Sequence, residues 1–318
     1  MSGCRYVKYG LLLLSMAAMA GVAHAGTIVS DDGVVIDATA METGASVVPP
    51  SAGTGRGAIE NLSAEGVMLA SVPMSELLTY RPMTASVGIE SILGFDSRVR
   101  VYTNRFPQRA IGLITFGSGS RCTGWLIGAN TVVTAGHCVA QGGSNRFYDR
   151  TTYRFYAGRN GSSSPYGVCT VKALWTSSTW LSTGNDQYDW GALKLNCTVG
   201  NTVGTFGFFY TGSSLLNEPT VISGYPGDKP LDQWESVDKV RVNQTKRLFY
   251  KNDTIGGMSG SPVFSDRPPG APYASNGVYA MGIHTYGVYN GLPFSTHNHA
   301  TRIDQALFNS LVSIRNQP

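Results

Sequence analysis

The chain has 318 residues, of which 42% are hydrophobic and 14% are charged, and its formal net charge is +4 at pH 7. This length and apolar content allow a large core and exclude a disordered chain. Sparse charge with many glycines and aromatic residues favours an all-β fold over a helical bundle. Lysine and arginine form no run and no basic-aromatic motif, so nucleic-acid binding is not indicated.

The first 25 residues have the layout of an export signal. Arg5 and Lys8 precede an apolar run at 11–20, and Ala23-His24-Ala25 supplies a small-x-small cleavage pattern. We therefore predict a signal peptide over 1–25. The alternative is a membrane anchor, but the run is shorter than the roughly 20 residues that a spanning helix needs. No later segment is long and apolar enough, so we expect no membrane association after signal removal.

Charge divides the rest of the chain in two. Residues 26–90 carry eight acidic and two basic side chains, whereas residues 91–318 carry twelve acidic and twenty basic ones. An acidic leader before a basic body predicts a propeptide over 26–90 that docks electrostatically on a mature domain over 91–318. A solvated, disordered leader is the alternative. Residues 57–80 have only a weak helical signal.

From Ser91 onward the sequence changes to short β-type runs separated by turns. The runs lie at 98–102, 111–116, 124–127, 131–134, 153–157, 168–173, 192–195, 221–224, 239–242, 247–250, 262–264 and 278–284. Many short strands at this spacing are typical of barrels or sandwiches. Near the end, four apolar residues recur at helical spacing and predict a helix over 302–314: Ile303, Leu307, Leu311 and Ile314. We predict two β-barrels, at about 91–205 and 206–300, and a closing helix.

Four cysteines remain after signal removal, namely Cys122, Cys138, Cys169 and Cys197. An even set in an exported chain predicts two disulfides, and four cysteines allow three pairings. In one pairing Cys122–Cys138 links a strand to the turn that follows it, and Cys169–Cys197 is the second bond. A zinc site is the alternative for a set of cysteines and histidines, but the chain has no CxxC or HxxxH spacing.

Three segments carry candidate catalytic residues. Ser259 lies among glycines in Gly256-Gly257-Met258-Ser259-Gly260-Ser261-Pro262, as a nucleophile loop requires. An alcohol needs a base, for which the imidazole of His137 is suited, and the base needs a carboxylate to orient it. Asp189 is the candidate for that carboxylate, because the apolar residues after it predict a buried strand. Asp186 is the competing carboxylate.

The order His137, Asp189, Ser259 along the chain is that of the chymotrypsin-type triad. The backbone N–H groups of Gly257 and Ser259 are the candidate oxyanion hole, since glycine allows the turn that points both groups the same way.

These segments resemble the chymotrypsin superfamily and, within it, the bacterial glutamyl endopeptidases of the staphylococcal and Bacillus type. The resemblance covers nearly all of residues 91–318. Matching segments include 91–94, 122–125, 134–138, 158–161, 200–204, 223–229, 256–262 and 283–285. It implies two chymotrypsin-like, six-stranded antiparallel β-barrels with a C-terminal helix.

The resemblance also implies cleavage after Glu and, less well, after Asp. In that family a histidine at the back of the specificity pocket binds the substrate carboxylate and a threonine assists, and the matching residues are His284 and Thr254. Asp253 stands where trypsin-like enzymes carry the acid that selects Lys or Arg, so basic specificity is the alternative. Met258 replaces the Asp by which animal trypsins sense a new N-terminus.

We therefore expect a secreted, monomeric serine endopeptidase made as a proenzyme, with protein or peptide substrates and its own propeptide as partners. Release from the periplasm is left open. Glu90-Ser91 lies at the expected processing site, which a Glu-specific enzyme can cut itself. No cofactor is expected. Structural calcium occurs in the family, but the sequence offers no ligand cluster to assign to it.

Two other classes of protein share some of these features. An inactive protease-like binding module is disfavoured because His137, Asp189 and Ser259 are all present. An esterase or lipase is disfavoured because the G-x-S-x-G elbow and its triad order are missing.

Overall fold

The computed structural model describes residues 26–38, 46–55, 67–68, 81–82, 91–265 and 277–318. Most of the regular structure is β. The strands are β1 (Thr27–Ser30), β2 (Val35–Asp37), β3 (Val47–Val48), β4 (Val67–Met68), β5 (Arg81–Pro82), β6 (Val99–Arg100), β7 (Ile111–Phe116), β8 (Ser120–Leu126), β9 (Thr131–Thr134), β10 (Ala140–Gln141), β11 (Arg146–Phe147), β12 (Arg154–Ala157), β13 (Val168–Ser177), β14 (Gly191–Leu195), β15 (Gly207–Phe209), β16 (Pro219–Gly224), β17 (Trp234–Lys239), β18 (Val242–Asn243), β19 (Arg247–Tyr250), β20 (Pro262–Ser265), β21 (Tyr279–Tyr286) and β22 (Asn298–Arg302). The α-helices are α1 (Ser178–Thr183), α2 (Gly200–Val203) and α3 (Gln305–Arg315), and short 3-10 turns occupy Gln108–Ala110, Gly136–Cys138, Arg150–Thr152 and Asp186–Tyr188.

Six strands form a closed antiparallel barrel in the order β12, β7, β8, β9, β14, β13, and pairing of β12 with β13 completes the ring. The apolar run of β7 is buried along its whole length. Trp125 of β8 fills the interior and packs edge-on against Phe206, with ring centroids 5.5 Å apart. The first predicted barrel is therefore confirmed.

The second sheet runs in the order β18, β19, β22, β21, β20, β16, β17, β6 and is also antiparallel along this path. Its own cluster of buried side chains includes Ile222, Leu248, Val263 and Met281. Strand β6 pairs with β17, so the chain from Val99 begins in the second sheet rather than the first. The all-β, chymotrypsin-like fold is confirmed, with this difference in where the barrels divide.

The C-terminal helix begins three residues later than predicted. Residues Asn298–Arg302 form β22 between β19 and β21, and the helix α3 starts at Gln305. Asp304 caps it by accepting a hydrogen bond from the N–H of Leu307 at 2.9 Å. The predicted strand at 239–242 is likewise divided, because β17 ends at Lys239 and β18 begins at Val242.

The N-terminal segment docks mainly through backbone pairing. Strand β1 pairs with β13 and β3 pairs with β15, which extends both sheets. One ion pair agrees with the predicted charge complementarity: Arg150 Nη1 lies 2.9 Å from Asp31 Oδ2. In the weak helical region at 57–80, residues 67–68 form β4 instead, and the rest lies outside the described residues.

Two disulfides are present, Cys122–Cys138 and Cys169–Cys197, with Cα separations of 6.3 and 5.9 Å. The first ties β8 to the 3-10 turn that carries His137. No helix in the described part of the chain is long and apolar enough to cross a membrane.

Candidate active site

His137 and Asp189 are brought together by two paired strands. His137 lies in the 3-10 turn directly after β9, Asp189 lies just before β14, and these strands pair with Thr134 opposite Gly191. Asp189 Oδ2 lies 2.7 Å from His137 Nδ1, and its Oδ1 accepts the backbone N–H of His137, also at 2.7 Å. The carboxylate is fully buried. This pairing fixes the ring and puts its proton on Nδ1, leaving the lone pair on Nε2.

Asp186, the competing carboxylate, has other partners. Its Oδ1 accepts a hydrogen bond from Arg247, and its Oδ2 accepts one from the hydroxyl of Tyr289 at 3.2 Å. The structure thus brings Asp189, and not Asp186, to His137.

Ser259 lies in the loop before β20, and this loop packs against the end of β9. Gly260 has φ +88°, and a Cβ there would lie 2.2 Å from Thr134 Oγ1 and 2.9 Å from the nitrogen of Ala135. Only glycine fits at this approach. The carbonyl of Ser259 accepts the N–H of Thr123 at 2.9 Å. Ser259 is therefore held where the two sheets meet, beside the turn that carries His137.

Gly257, a candidate oxyanion donor, has a backbone conformation that requires glycine. Its φ is +105°, and a Cβ would lie 2.6 Å from the carbonyl oxygen of Tyr225. The carbonyl of Gly256 accepts the N–H of Gly227 at 2.6 Å, which orients the peptide unit that carries the N–H of Gly257. Within the described residues, the N–H of Gly257 donates to no acceptor, as an oxyanion donor must before substrate binds.

The predicted pocket residues lie next to this loop. The carbonyl of His284 accepts the N–H of Gly260 at 2.7 Å, and the backbone N–H of His284 donates to the carbonyl of Ser261 at 2.9 Å. Nδ1 of the buried His284 ring lies 2.7 Å from the hydroxyl of Tyr250. Thr254 is fully buried, and its hydroxyl has no hydrogen-bond partner among the described residues. Both side chains are therefore buried next to the Ser259 loop.

The carboxylate of Asp253 is hydrogen-bonded to the segment that begins at Ser91. It accepts hydrogen bonds from the N–H of Leu93 at 2.7 Å, the N–H of Ser97 at 2.8 Å and the hydroxyl of Ser97 at 2.7 Å. At the start of the same segment, the carbonyl of Ser91 accepts a hydrogen bond from Asn298 Nδ2 at 2.6 Å. Asp253 thus anchors this segment, and its negative charge is compensated by three donors.

His299 is a buried residue near the site that the sequence did not predict. It stacks on Tyr286 and Phe249, with ring centroids 5.2 and 5.1 Å apart. Burial lowers the pKa of His299 well below its usual value, and the nearby Arg247 and His284 act in the same direction. His299 is therefore neutral at neutral pH. Its strand, β22, gives no apolar pattern that would have identified it.

The chain is similar to known proteins of one family. The family model described as Trypsin matches residues 100–307. The chain is 43% identical over 237 residues to the glutamyl endopeptidase of Bacillus licheniformis, covering 74% of this chain and 72% of that protein. It is 37% identical over 235 residues to a Bacillus subtilis protein named extracellular metalloprotease, covering 71% and 70%.

A solved structure of a Glu endopeptidase in complex with MPD superposes with a TM-score of 0.63 at 30% identity. The match covers 71% of this chain and 100% of the other.

The word metalloprotease in one relative's name raises the question of a metal centre. Among the described residues, one cluster has the ligand types and spacing for a metal ion, namely Cys122, His137 and Cys138. Both sulfurs form the first disulfide, and a disulfide supplies no thiolate ligand. The donor set at that place therefore does not fit a zinc centre.

Proposed function

This chain belongs to the trypsin family and is a serine endopeptidase, and we propose that it is an exported proenzyme that cleaves peptide bonds after Glu and, less well, after Asp. The observation that carries the proposal is the buried His137–Asp189 pair beside the Ser259 loop. The 43% identity to a glutamyl endopeptidase supports the choice of substrate.

The proposed reaction is acyl transfer. Ser259 Oγ attacks the scissile carbonyl while Nε2 of His137 accepts its proton, and Asp189 stabilises the imidazolium that forms. The N–H groups of Gly257 and Ser259 stabilise the oxyanion. His137 then protonates the leaving amine, which departs and leaves an acyl-enzyme on Ser259. Water attacks this ester with His137 as base, releasing the acid product and restoring the hydroxyl.

In the proposed pocket, the substrate carboxylate is bound by hydrogen-bond donors that are neutral or that change charge with pH. Thr254 has a buried hydroxyl without a partner in the part of the chain that the structure describes, and His284 supplies a buried imidazole. Selection of Lys or Arg would need a carboxylate facing the ligand. Asp253 is the residue in that sequence position, and its oxygens are already bonded to Leu93 and Ser97. This commitment favours Glu over the basic alternative.

We assign 1–25 as signal peptide, 26–90 as propeptide and 91–318 as the mature monomeric enzyme. This division is supported by the strand pairing. The N-terminal segment adds β1 and β3 to the two sheets, and the other strands of both sheets come later in the chain. Glu90 lies outside the described residues, whereas Ser91 is anchored by Asn298. Processing at Glu90-Ser91 is proposed to be autocatalytic. Normal trimming at Ser91 in Ser259→Ala would show that another protease does it.

Hydrolysis of a chromogenic Glu peptide tests the proposed function. We expect turnover that a serine-reactive reagent abolishes and that Ser259→Ala reduces to background. Ser261→Ala is the matched control, because it removes a buried hydroxyl from the same loop without removing the nucleophile. Turnover that persists in Ser259→Ala would contradict the assignment.

A further inference from the structure

Arg121 is a buried cation, and Asp228, the acid whose charge acts on it, forms no ion pair with it. Arg121 lies in β8 and is 3% exposed. Its guanidinium forms no ion pair with any described residue, and its Nε is buried without an acceptor. A buried charge is unfavourable unless it is paired. An unpaired, buried arginine beside an active site therefore points to a ligand that arrives later.

The nearest acid is already committed elsewhere. Asp228 accepts hydrogen bonds from Arg98 Nη1 at 2.9 Å and from Nη2 at 2.6 Å, so both of its oxygens are occupied. Burial lowers the pKa of Arg121, and the charge of Asp228 partly opposes this effect. Arginine remains protonated at neutral pH under such a shift. Its donors are therefore available to an anion from outside the chain.

The position of Arg121 places it on the leaving side of a substrate. It directly precedes Cys122, whose disulfide reaches Cys138 next to His137. On its other side, a Cβ at Gly257 would lie 3.5 Å from Arg121 Nε. His137 must protonate the leaving amine, so the residues after the scissile bond pass on the side of this histidine. The side chain of Arg121 therefore borders the oxyanion turn, and the next residue of its strand carries the disulfide.

The edge of β8 at Arg121 accepts an extended chain. Residues Ser120–Trp125 pair with β7 on one side, whereas β9 on the other side pairs only with Trp125 and Leu126. At the remaining edge, Ser120 and Arg121 pair with the two-residue strand β5 of the N-terminal segment, in which Pro82 lies opposite Arg121. A strand edge of this kind binds peptides by backbone pairing. Removal of the propeptide would leave it open to substrate.

We propose that Arg121 binds an acidic side chain at the first or second residue after the scissile bond. The inference rests on the proposed endopeptidase function and adds a leaving-side preference to it. A guanidinium fork matches a carboxylate in two parallel hydrogen bonds, and burial strengthens that pairing. The enzyme thereby favours acidic sequences on both sides of the bond that it cuts.

Competition between peptides tests the proposal. Two series carry Glu before the scissile bond and vary only the first or only the second following residue among Asp, Asn and Lys, with products assigned by mass spectrometry. In one series we expect kcat/KM for Asp to exceed that for Asn by about tenfold, the size of one charge-assisted hydrogen bond. Arg121→Gln should remove the preference, and Arg121→Glu should transfer it to Lys.

Each ratio is measured within one enzyme, so a general loss of activity does not affect it. Arg315→Gln is the control, since it removes the same charge from the exposed end of α3. A ratio that is unchanged in Arg121→Gln and Arg121→Glu would overturn the inference alone. Absence of turnover of every Glu peptide by the unaltered enzyme would overturn the proposed function and the inference with it.

Discussion

Three aspartates near the candidate site differ in what surrounds them. Asp189 accepts two hydrogen bonds from His137, Asp186 pairs with Arg247, and Asp253 holds the segment that starts at Ser91. The same side chain thus orients a base, forms a half-buried ion pair and anchors a chain segment. Only the first arrangement acts on the proposed reaction.

We predict that Asp189→Asn lowers kcat on the order of 10⁴-fold, because an amide no longer stabilises the imidazolium and favours the wrong tautomer of His137. Steady-state kinetics on a Glu peptide measures it. Asp186→Asn is the matched control and should affect kcat far less, since Asp186 does not contact His137. Equal losses in both variants would contradict the assignment of Asp189.

At this scale the sequence identifies residues by their flanks and misses those defined by distant partners. His137 and Ser259 lie in segments whose glycines and neighbours indicate a catalytic loop. The role of Asp253 was open, because its donors, Leu93 and Ser97, lie about 160 residues away in the chain. Arg121 and His299 gave no signal, since only packing reveals that they are buried.

The loop before β20 depends on its glycines. Gly257 and Gly260 both have positive φ, and a Cβ at either would meet backbone or side-chain oxygen within 2.6 Å. The loop is thereby shaped by contacts with Tyr225 and Thr134 as well as by its own hydrogen bonds, such as that from the N–H of Met258 to the carbonyl of Ile255 at 3.0 Å. Its geometry is a property of three elements packed together.

We predict that Gly257→Ala lowers kcat by about 10²–10³-fold, the effect of losing one oxyanion donor, because the new methyl group displaces the turn from Tyr225. Comparison of kcat with KM measures it. Gly291→Ala is the control: φ is +86° there, but nothing lies within 4 Å of the added Cβ. Both variants introduce backbone strain, and only Gly257→Ala also introduces a steric contact at the oxyanion turn. An unchanged kcat in Gly257→Ala would contradict the proposed oxyanion role.

Elements with a local apolar pattern were predictable and others were not. The buried run of β7 and the periodic face of α3 follow directly from the sequence. Strand β22 was missed because most of its residues are polar, although all five are buried. Its polar atoms are bonded inside the fold, as where Asn298 donates to the carbonyl of Asn252 at 2.8 Å.

On the scale of the whole molecule, the N-terminal segment joins both sheets, through β1 on β13 and β3 on β15. Charge patterning predicted that this segment docks, and the Asp31–Arg150 ion pair agrees with that expectation. Strand addition was not predictable, because strands of two to four residues give no clear periodicity. The segment is thus bound mainly by backbone hydrogen bonds and apolar burial.

We predict that Ile28→Asp releases the N-terminal segment from the mature domain after processing, because Ile28 is fully buried in β1 and an unpaired carboxylate there is unfavourable. Co-elution of the segment with the mature domain in gel filtration measures it. Val35→Asp is the control, since Val35 is 65% exposed in the neighbouring strand β2. Retention of the segment in Ile28→Asp would contradict docking through β1.

Stability at acid pH depends on the cluster around Arg98. Hydrogen bonds from Arg98 lower the pKa of Asp96. At Asp228 burial raises the pKa, but the hydrogen bond and charge of Arg98, a backbone hydrogen bond and the charge of Lys229 together lower it. Both carboxyls have folded pKa values below the ordinary 3.8. Their contribution to the free energy of unfolding is therefore complete above pH 3.8 and is lost as pH falls towards the folded values.

We predict that Arg98→Gln destabilises the protein most at neutral pH and that the difference from the unaltered protein narrows below about pH 4. Urea unfolding across that range measures it. Arg146→Gln, at an exposed position, should show no such pH-dependent difference. A difference that stays constant from neutral to acid pH would contradict the linkage to Asp96 and Asp228.

Digestion of a peptide library, read by mass spectrometry, tests most directly whether a Ser259–His137–Asp189 enzyme cuts after Glu. We predict cleavage mainly after Glu, weaker cleavage after Asp, and none by Ser259→Ala. Cleavage mainly after Lys or Arg would contradict the assignment of His284 and Thr254 to the pocket, and cleavage by Ser259→Ala would contradict the nucleophile.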